Sequence, residues 1–336
     1  MGVEARALGD HILLICTPSL RDSPGARQVR SALGDALAAE FDDVLPHVPK
    51  EAVAAARSLA EQHQVNVVVA IGGGSAIGVG KAVVLATRSP LIAIPTTYSG
   101  SEMTSVVGIT DRAEGKKRLQ RDPAALPRLV VYDPDVTLEL SSELTAATGM
   151  NALAHCVEAC YSRDASPEVR RAALDGIRHI VRSLPLCVAN GRDIEAREDL
   201  LHGARLAGLS IANSTMALHH GLCHVLGGRT GVAHGVLNAI VLPHVMRFNA
   251  DAVPDAMSAI ADAMDAGART RDVQAAARFT AALLESLPVP KRLREVGVKA
   301  EALDSIAAEA AVNPTVRANP KPASEADIRA LLASAW

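Results

Sequence analysis

Val65 to Ile71 reads V-N-V-V-V-A-I, and Gly72-Gly73-Gly74-Ser75 follow it without a gap. A short, continuous β-branched run of this kind is a strand buried on both faces. The glycines then turn the chain straight into a helix that continues to about Thr87. Such a strand needs helical layers on both sides of a parallel sheet. Its neighbours in sequence agree. His11 to Cys16 (H-I-L-L-I-C) is a second buried strand, and Leu91 to Ile94 is a third, ended by Pro95-Thr96-Thr97. Leu129 to Tyr132 is another, after a charged segment of turn character. Ala26 to Phe41 has helical spacing, Val44 to Pro46 is a short strand candidate, and Pro49 opens a helix through His63. Strands alternating with helices predict an N-terminal α/β domain with helices on both faces.

After about Ser142 the β-branched runs end and Ala-rich helical periodicity takes over. Helices are expected over Leu144–Tyr161, Pro167–Leu184, Arg197–Ala212, Leu218–Leu226, Gly235–Val245, Val253–Met264 and Asp272–Leu287. A length of 336 residues suits two cores rather than one. We therefore expect an α/β dinucleotide-binding domain over residues 1–142 and an all-helical catalytic domain over 143–336, with the ligand crevice where the two layers meet. Aromatic residues make up only 2% of the chain, so its cores must be built from Ala, Val, Leu and Ile.

A net charge of −3 gives no electrostatic case for nucleic acid or an anionic membrane as partner. No run reaches the length of a membrane span, and the N-terminus lacks the apolar core of a signal peptide. Cys16, Cys156, Cys160, Cys187 and Cys223 are an odd, scattered set without a C-x-x-C, which reads as reduced thiols in a cytoplasmic protein.

Two loops carry ligand chemistry. Glycines let a backbone approach a ligand closely, and the N–H groups of a following helix favour phosphate, so Gly72, Gly73, Gly74 and Ser75 are a candidate phosphate cradle. They match neither G-x-G-x-x-G nor the Walker pattern, and a plain tight turn is the alternative. Lys81 on the next helix reads equally well as solvent-facing. Pro95 to Thr104 (P-T-T-Y-S-G-S-E-M-T) gathers hydroxyls past the carboxyl end of a parallel strand, where open α/β sheets bind ligands. A loop satisfying its own backbone would look the same.

His219 to Asn249 holds five of the eleven histidines. His220 and His224 are four apart and share a helix face, and His234 lies beyond a Gly227-Gly228 break. Imidazoles at this spacing suit metal ligation or proton transfer, or else fill a core.

In this order the segments resemble the iron-containing alcohol dehydrogenase family, whose fold is dehydroquinate synthase-like. The resemblance rests on G-G-G-S-A-I-G-V-G-K-A at 72–82, I-P-T-T-Y-S-G-S-E-M-T at 94–104, L-P-R-L-V-V-Y-D-P at 126–134, G-M-N-A-L-A-H-C-V-E-A at 149–159, H-H-G-L-C-H-V-L-G-G at 219–228 and A-N-P-K-P near the end. Within the family, the maleylacetate reductases are the most similar branch. The resemblance implies NADH or NADPH as cofactor. It sets Gly72, Gly73, Gly74 and Ser75 on the pyrophosphate, and Thr96, Thr97 and Ser101 along the ribose and nicotinamide. It implies a homodimer, and a role in the catabolism of aromatic compounds. In metal-dependent relatives an Asp and three histidines hold iron or zinc, at positions matching Asn151, His155, His220 and His234; His224 matches a histidine near the nicotinamide that is not a ligand.

Asn151 departs from the metal-binding pattern, because an amide oxygen is a weaker donor than a carboxylate. The maleylacetate reductases are similar in carrying Asn there, and the resemblance implies catalysis without metal, by Asn151, His155, His220, His224 and His234. Three histidines can nonetheless hold zinc, so Fe or Zn stays open. Where Gly221 stands, typical maleylacetate reductases are expected to carry a basic residue. The family's first β-hairpin, with its F-G motif and dimer contacts, has no counterpart ahead of residue 8. The implied reaction is hydride transfer from NAD(P)H to the C=C bond of maleylacetate or a similar anionic enone, giving 3-oxoadipate. Arg229 and Tyr98 are the substrate-binding candidates, and Lys116, Lys117, Arg118 and Arg121 read as a solvated basic run. A metal-dependent alcohol or aldehyde dehydrogenase is the first alternative, and a non-catalytic cofactor-binding protein the second.

Overall fold

In the computed structural model, which describes residues 1–112, 116–265 and 272–336, Ile12–Cys16 (β1), Leu37–Phe41 (β2), Val67–Gly72 (β3), Leu91–Pro95 (β4) and Leu129–Val130 form a parallel sheet. Its order is β2-β1-β3-β4, with Leu129–Val130 at the far edge. Alternate residues of a strand face opposite sides, and both sides here are dry. Leu13, Ile15, Val68 and Ala70 join one apolar cluster, and Ile12, Leu14, Val67, Val69 and Ile71 join the other. Gly2–Leu8 (α1) and Pro24–Leu33 (α2) contribute to the second cluster, while Lys50–Gln62 (α3) and Gly74–Thr87 (α4) contribute to the first. The fold class is the expected one: a parallel α/β sheet followed by helices.

Three local expectations are corrected. Residues 37–41 (L-A-A-E-F) are strand rather than helix, because pairing along β1 outweighs the helical preference of Leu37, Ala38, Ala39 and Glu40. Val44 to Pro46 is accordingly not a strand. The charged segment folds as an antiparallel pair, Val106–Asp111 (β5) with Lys116–Arg121 (β6). Arg118 and Arg121 on it are exposed, as a solvated run would be, and the side chains of Lys116 and Lys117 lie outside the described residues.

The chain divides into two compact units, Met1–Leu140 and Ser141–Trp336. The second is helical: Ser142–Tyr161 (α5), Pro167–Ala189 (α6), Ile194–Ala212 (α7), Leu218–Thr230 (α8), His234–Asn249 (α9), Pro254–Met264 (α10), Ala275–Ser286 (α11), Leu303–Val312 (α12), Pro314–Arg317 (α13) and Glu325–Ala335 (α14). Side-chain oxygens set several of the starts. Ser141, Ser166 and Asp193 each accept the backbone N–H three residues on, and Ser324 with Asp327 forms a capping box. Packing of Leu184 and Cys187 carries α6 through Pro185, where the sequence alone argued for an end. No helix among the described residues is long and apolar enough to cross a membrane.

Helix α5 is buried along most of its length, and small residues let its neighbours come close. A Cβ on Gly149 would stand 2.5 Å from Leu184 Cδ1, and one on Gly176 2.7 Å from Cys156 Sγ. At the start of α9, a Cβ on Gly235 would stand 2.8 Å from the backbone oxygen of Ala147. That contact seats the first turn of α9, with His234, directly on α5. Gly235→Ala is therefore expected to lift this turn at a cost of about 1–3 kcal/mol, the range for overpacking. Calorimetry should show a lowered unfolding midpoint; an unchanged midpoint would mean that α9 is not held there by close approach.

Candidate active site

The carboxyl ends of β1, β3 and β4 carry the first group of functional side chains. Strand order reverses between β1 and β3, the place where open α/β sheets bind nucleotides. Gly72 has φ +149°, and a Cβ there would collide with Thr17 Oγ1 and Ala76. Gly73 is the N-cap of α4 and has no side-chain cap, so the first N–H groups of the helix are left for a ligand. A Cβ on Gly73 would lie 3.1 Å from Thr97 Cγ2, and one on Gly74 3.4 Å from Ser99 Oγ. Thr96 and Thr97 are buried and Ser101 is half-buried. The uncapped N–H groups at the start of α4 and the hydroxyls of Thr96, Thr97 and Ser101 are donors that suit a pyrophosphate, and the glycines let Thr17, Thr97 and Ser99 pack close beside them. Arg21, in the turn after β1, is committed to Asp42 just past β2.

Lys81 does not face solvent. It is fully buried, and its Nζ donates to the carbonyls of Ser101 (2.5 Å), Thr104 (2.6 Å) and Val106 (3.0 Å) and to Thr104 Oγ1 (3.0 Å). Burial pulls its pKa down to about 8, with Glu102 opposing. The ammonium thus ties the hydroxyl loop to α4. Tyr98 is wholly buried, which places it in the packing of that loop rather than on an open surface.

The second group lies in the helical unit. Asn151 and His155 on α5, His220 and His224 on α8, and His234 on α9 come together. The His155 and His220 rings stack at 4.7 Å and 15°, His220 lies 5.9 Å from His234, and His234 stacks on His224 at 5.3 Å and 20°. Asn151, His155 and His220 are buried, His234 is half-buried and His224 is exposed. The cluster therefore runs from a dry end to a wet one. Burial, and then the neighbouring histidines, hold His155 and His220 well below the ordinary imidazole range.

The sequence reading has no place for Glu158 and Asn238, and counts His219 only among the five histidines. Glu158 is fully buried on α5 and accepts the backbone N–H groups of Ala217 (3.1 Å), His219 (3.0 Å) and His220 (3.4 Å). It also meets His220 Nδ1 at 2.7 Å. Asn238 on α9 donates through Nδ2 to Asn151 Oδ1 (2.9 Å) and to the His234 carbonyl (2.8 Å). His219 Nε2 lies 3.1 Å from the Asn238 carbonyl. Only Glu158 had a signal in the sequence, its place three residues after His155 on the same helix.

Arg229 is not brought to the cluster. It follows His220 by nine positions, half a turn out of phase, and pairs with Glu309 (2.6 Å) and Ser305 Oγ (3.0 Å) on an exposed face. The choice of Arg229 as a carboxylate clamp is corrected accordingly. Gly221 is buried against α13, where a Cβ would meet Val316 Cγ2 at 2.7 Å and Val316 N at 2.9 Å, so this site has no room for a basic side chain.

Whether a divalent metal fits depends on these donors. Among the described residues, Glu158, His219 and His220 bring one donor atom each within 4.8 Å, but Glu158 is already occupied by the start of α8. Asn151, His155, His220 and His234 offer only neutral donors, and the Asn151 oxygen takes a hydrogen bond from Asn238. His155 Nδ1 and His220 Nε2 are buried without a hydrogen-bond partner, which is what a metal would relieve.

A nucleotide cradle on a parallel sheet, followed by helices that gather imidazoles, is the plan of a nucleotide-dependent oxidoreductase. Residues 1–134 match the family described as iron-containing alcohol dehydrogenase, and residues 145–336 match the Fe-containing alcohol dehydrogenase family, C-terminal. The chain belongs to the iron-containing alcohol dehydrogenase family and is an oxidoreductase. It is 38% identical to a maleylacetate reductase of Sphingobium indicum over 332 residues, which is 99% of this chain and 91% of that protein. The crystal structure of maleylacetate reductase from Rhizobium sp. strain MTP-10005 is similar with a TM-score of 0.91 at 35% identity, covering 100% of this chain and 92% of that one. Sulfoacetaldehyde reductase from Bifidobacterium kashiwanohense, solved in complex with NAD+, is similar with a TM-score of 0.92 at 25% identity, covering 100% and 93%.

If the glycines cradle a nucleotide, Gly73→Val should remove NAD(P)H binding, since the added branch fills the space beside Thr97 and α4. Titration calorimetry on variant that retains the wild-type circular dichroism spectrum checks this; unchanged affinity would rule out the cradle.

Proposed function

We propose that this oxidoreductase reduces the C=C bond of maleylacetate or a closely similar anionic enone, without a metal, using NAD(P)H held at Gly72, Gly73, Gly74, Ser75, Thr96, Thr97 and Ser101. The observation that carries this reading is the Asn151–Asn238 pair in the histidine cluster. Where an anionic ligand would be needed, the chain has an amide whose oxygen is taken by a neighbouring amide. A carboxylate there would repel a dianionic substrate, whereas an amide N–H can donate to one of its oxygens. The resemblance to maleylacetate reductases over nearly the whole chain supports the same choice.

When bound, the dihydronicotinamide supplies a hydride to the alkene carbon β to the ketone. Negative charge then gathers on the ketone oxygen. Asn151, His155 and His234 stabilise that charge by hydrogen bonding, in a setting dry enough for such bonds to be strong, and His220 joins them once a proton has reached its Nε2. The α-carbon also needs a proton. The exposed His224 ring, stacked on His234, gives protons a route inwards from water. We assign the enzyme to the cytoplasm, consistent with five free, buried cysteines.

A metal-dependent alcohol dehydrogenase is the second reading, and the unpartnered nitrogens of His155 and His220 favour it. Metal analysis and a substrate screen separate the two. We expect well under one metal per chain, activity indifferent to EDTA, turnover of maleylacetate, and higher metal affinity after Asn151→Asp. His220→Ala should lower kcat by about 10²-fold or more, the scale for losing one charge-stabilising donor. Stoichiometric iron or zinc, with activity on simple aldehydes lost on chelation, would establish the second reading instead.

A further inference from the structure

We infer that Glu158 is a positioning residue that fixes the tautomer of His220, so that His220 meets its ligand through Nε2 alone. The inference deepens the proposed function, because it concerns the same cluster, but its geometry is independent of which substrate is reduced.

Two separate lines give His220 its hydrogen at Nδ1. The first is Glu158. Its carboxylate is fully buried, and Oε2 lies 2.7 Å from His220 Nδ1, closer than any of the three backbone N–H groups that it also accepts. Both oxygens already accept backbone N–H groups, the arrangement that suits an ionised carboxylate, and an ionised carboxylate can only accept, so the nitrogen facing it carries hydrogen. The second line runs through His219. Its Nε2 lies 3.1 Å from the Asn238 carbonyl, which can only accept. His219 is therefore protonated at Nε2 and bare at Nδ1. That bare nitrogen faces His220 Nδ1 at 3.3 Å, a contact that a hydrogen on His220 Nδ1 makes favourable and two bare nitrogens would make repulsive. Both lines put the hydrogen on His220 Nδ1.

Nε2 of the same ring is buried and has no partner in the protein. Its in-plane lone pair is therefore the atom that His220 presents to a ligand or to an arriving proton. A carboxylate behind the ring also steadies the imidazolium when that proton is present. Carboxylates placed in this way behind functional histidines matter by about 10–100-fold when removed. Ala217, the N-cap of α8, has no side chain able to cap the helix, and Glu158 takes over that task as well. One carboxylate thus sets both where α8 begins and which nitrogen of its second histidine is available.

The test reads the tautomer directly. Protein labelled with 15N at histidine is examined by long-range 1H–15N correlation of the imidazole rings, with His220 assigned by its loss in His220→Gln. We expect wild-type His220 to be protonated at Nδ1 and bare at Nε2 in the absence of substrate. The opposite tautomer would overturn the inference. Glu158→Gln should then mix the tautomers and lower kcat by about 10-fold or more, with NAD(P)H affinity within about twofold of wild type. A Glu158→Gln enzyme with wild-type kcat would also overturn it. If that variant does not fold, the wild-type spectrum alone decides. Kinetics are measured with whichever enone or aldehyde the wild type turns over, so a mistaken substrate shows in the wild type before the variant is made.

Discussion

A carboxylate taken out of water must be met by donors, and in the helical unit that requirement falls on Glu158. It is satisfied by the first turn of α8 and by an imidazole of that turn. Those bonds join α5 to α8 at one depth. The close approach of Gly235 to Ala147 joins α5 to α9 nearby. With three helices fixed against one another, His155, His220 and His234 have little freedom in where they point. The position of the cluster follows from how a buried charge is satisfied, and its dry end is a by-product of the same packing.

The nucleotide unit works by the opposite means. The surface proposed to hold the nucleotide is mostly backbone: glycines, helix N–H groups and a few hydroxyls at strand ends. Side chains there act from behind. Lys81 is the example, a buried ammonium whose four acceptors all lie between Ser101 and Val106. Four bonds from one ammonium hold this loop against α4 by protein contacts alone, which lowers the entropy that a ligand of the loop would have to overcome.

Features set by local pattern were legible in the sequence. The strands at 12–16, 67–72 and 91–95 announce themselves because both their faces are apolar. The glycine turn and the histidine spacing are equally local. What stayed hidden depends on partners distant in sequence. Leu37–Phe41 is a strand because β1 lies beside it, and nothing in L-A-A-E-F says so. Glu158 meets the start of α8 about sixty positions later, and Asn238 reaches back to Asn151 across α5 and α9. Such pairs obey no helical period. Arg229 failed for a more ordinary reason: its place nine residues after His220 already set it on the other side of α8.

Gly221 constrains how this chain can change over evolutionary time. Its Cα faces the backbone nitrogen of Val316, and backbone cannot be trimmed by mutation. A lineage exploring larger side chains at 221 must first relocate the short helix at 314–317, and that move brings no benefit until the second change arrives. The two changes are selectable only in one order. Any larger residue at 221 therefore depends on where residues 314–317 lie, a constraint set by backbone rather than by a side chain that could be exchanged.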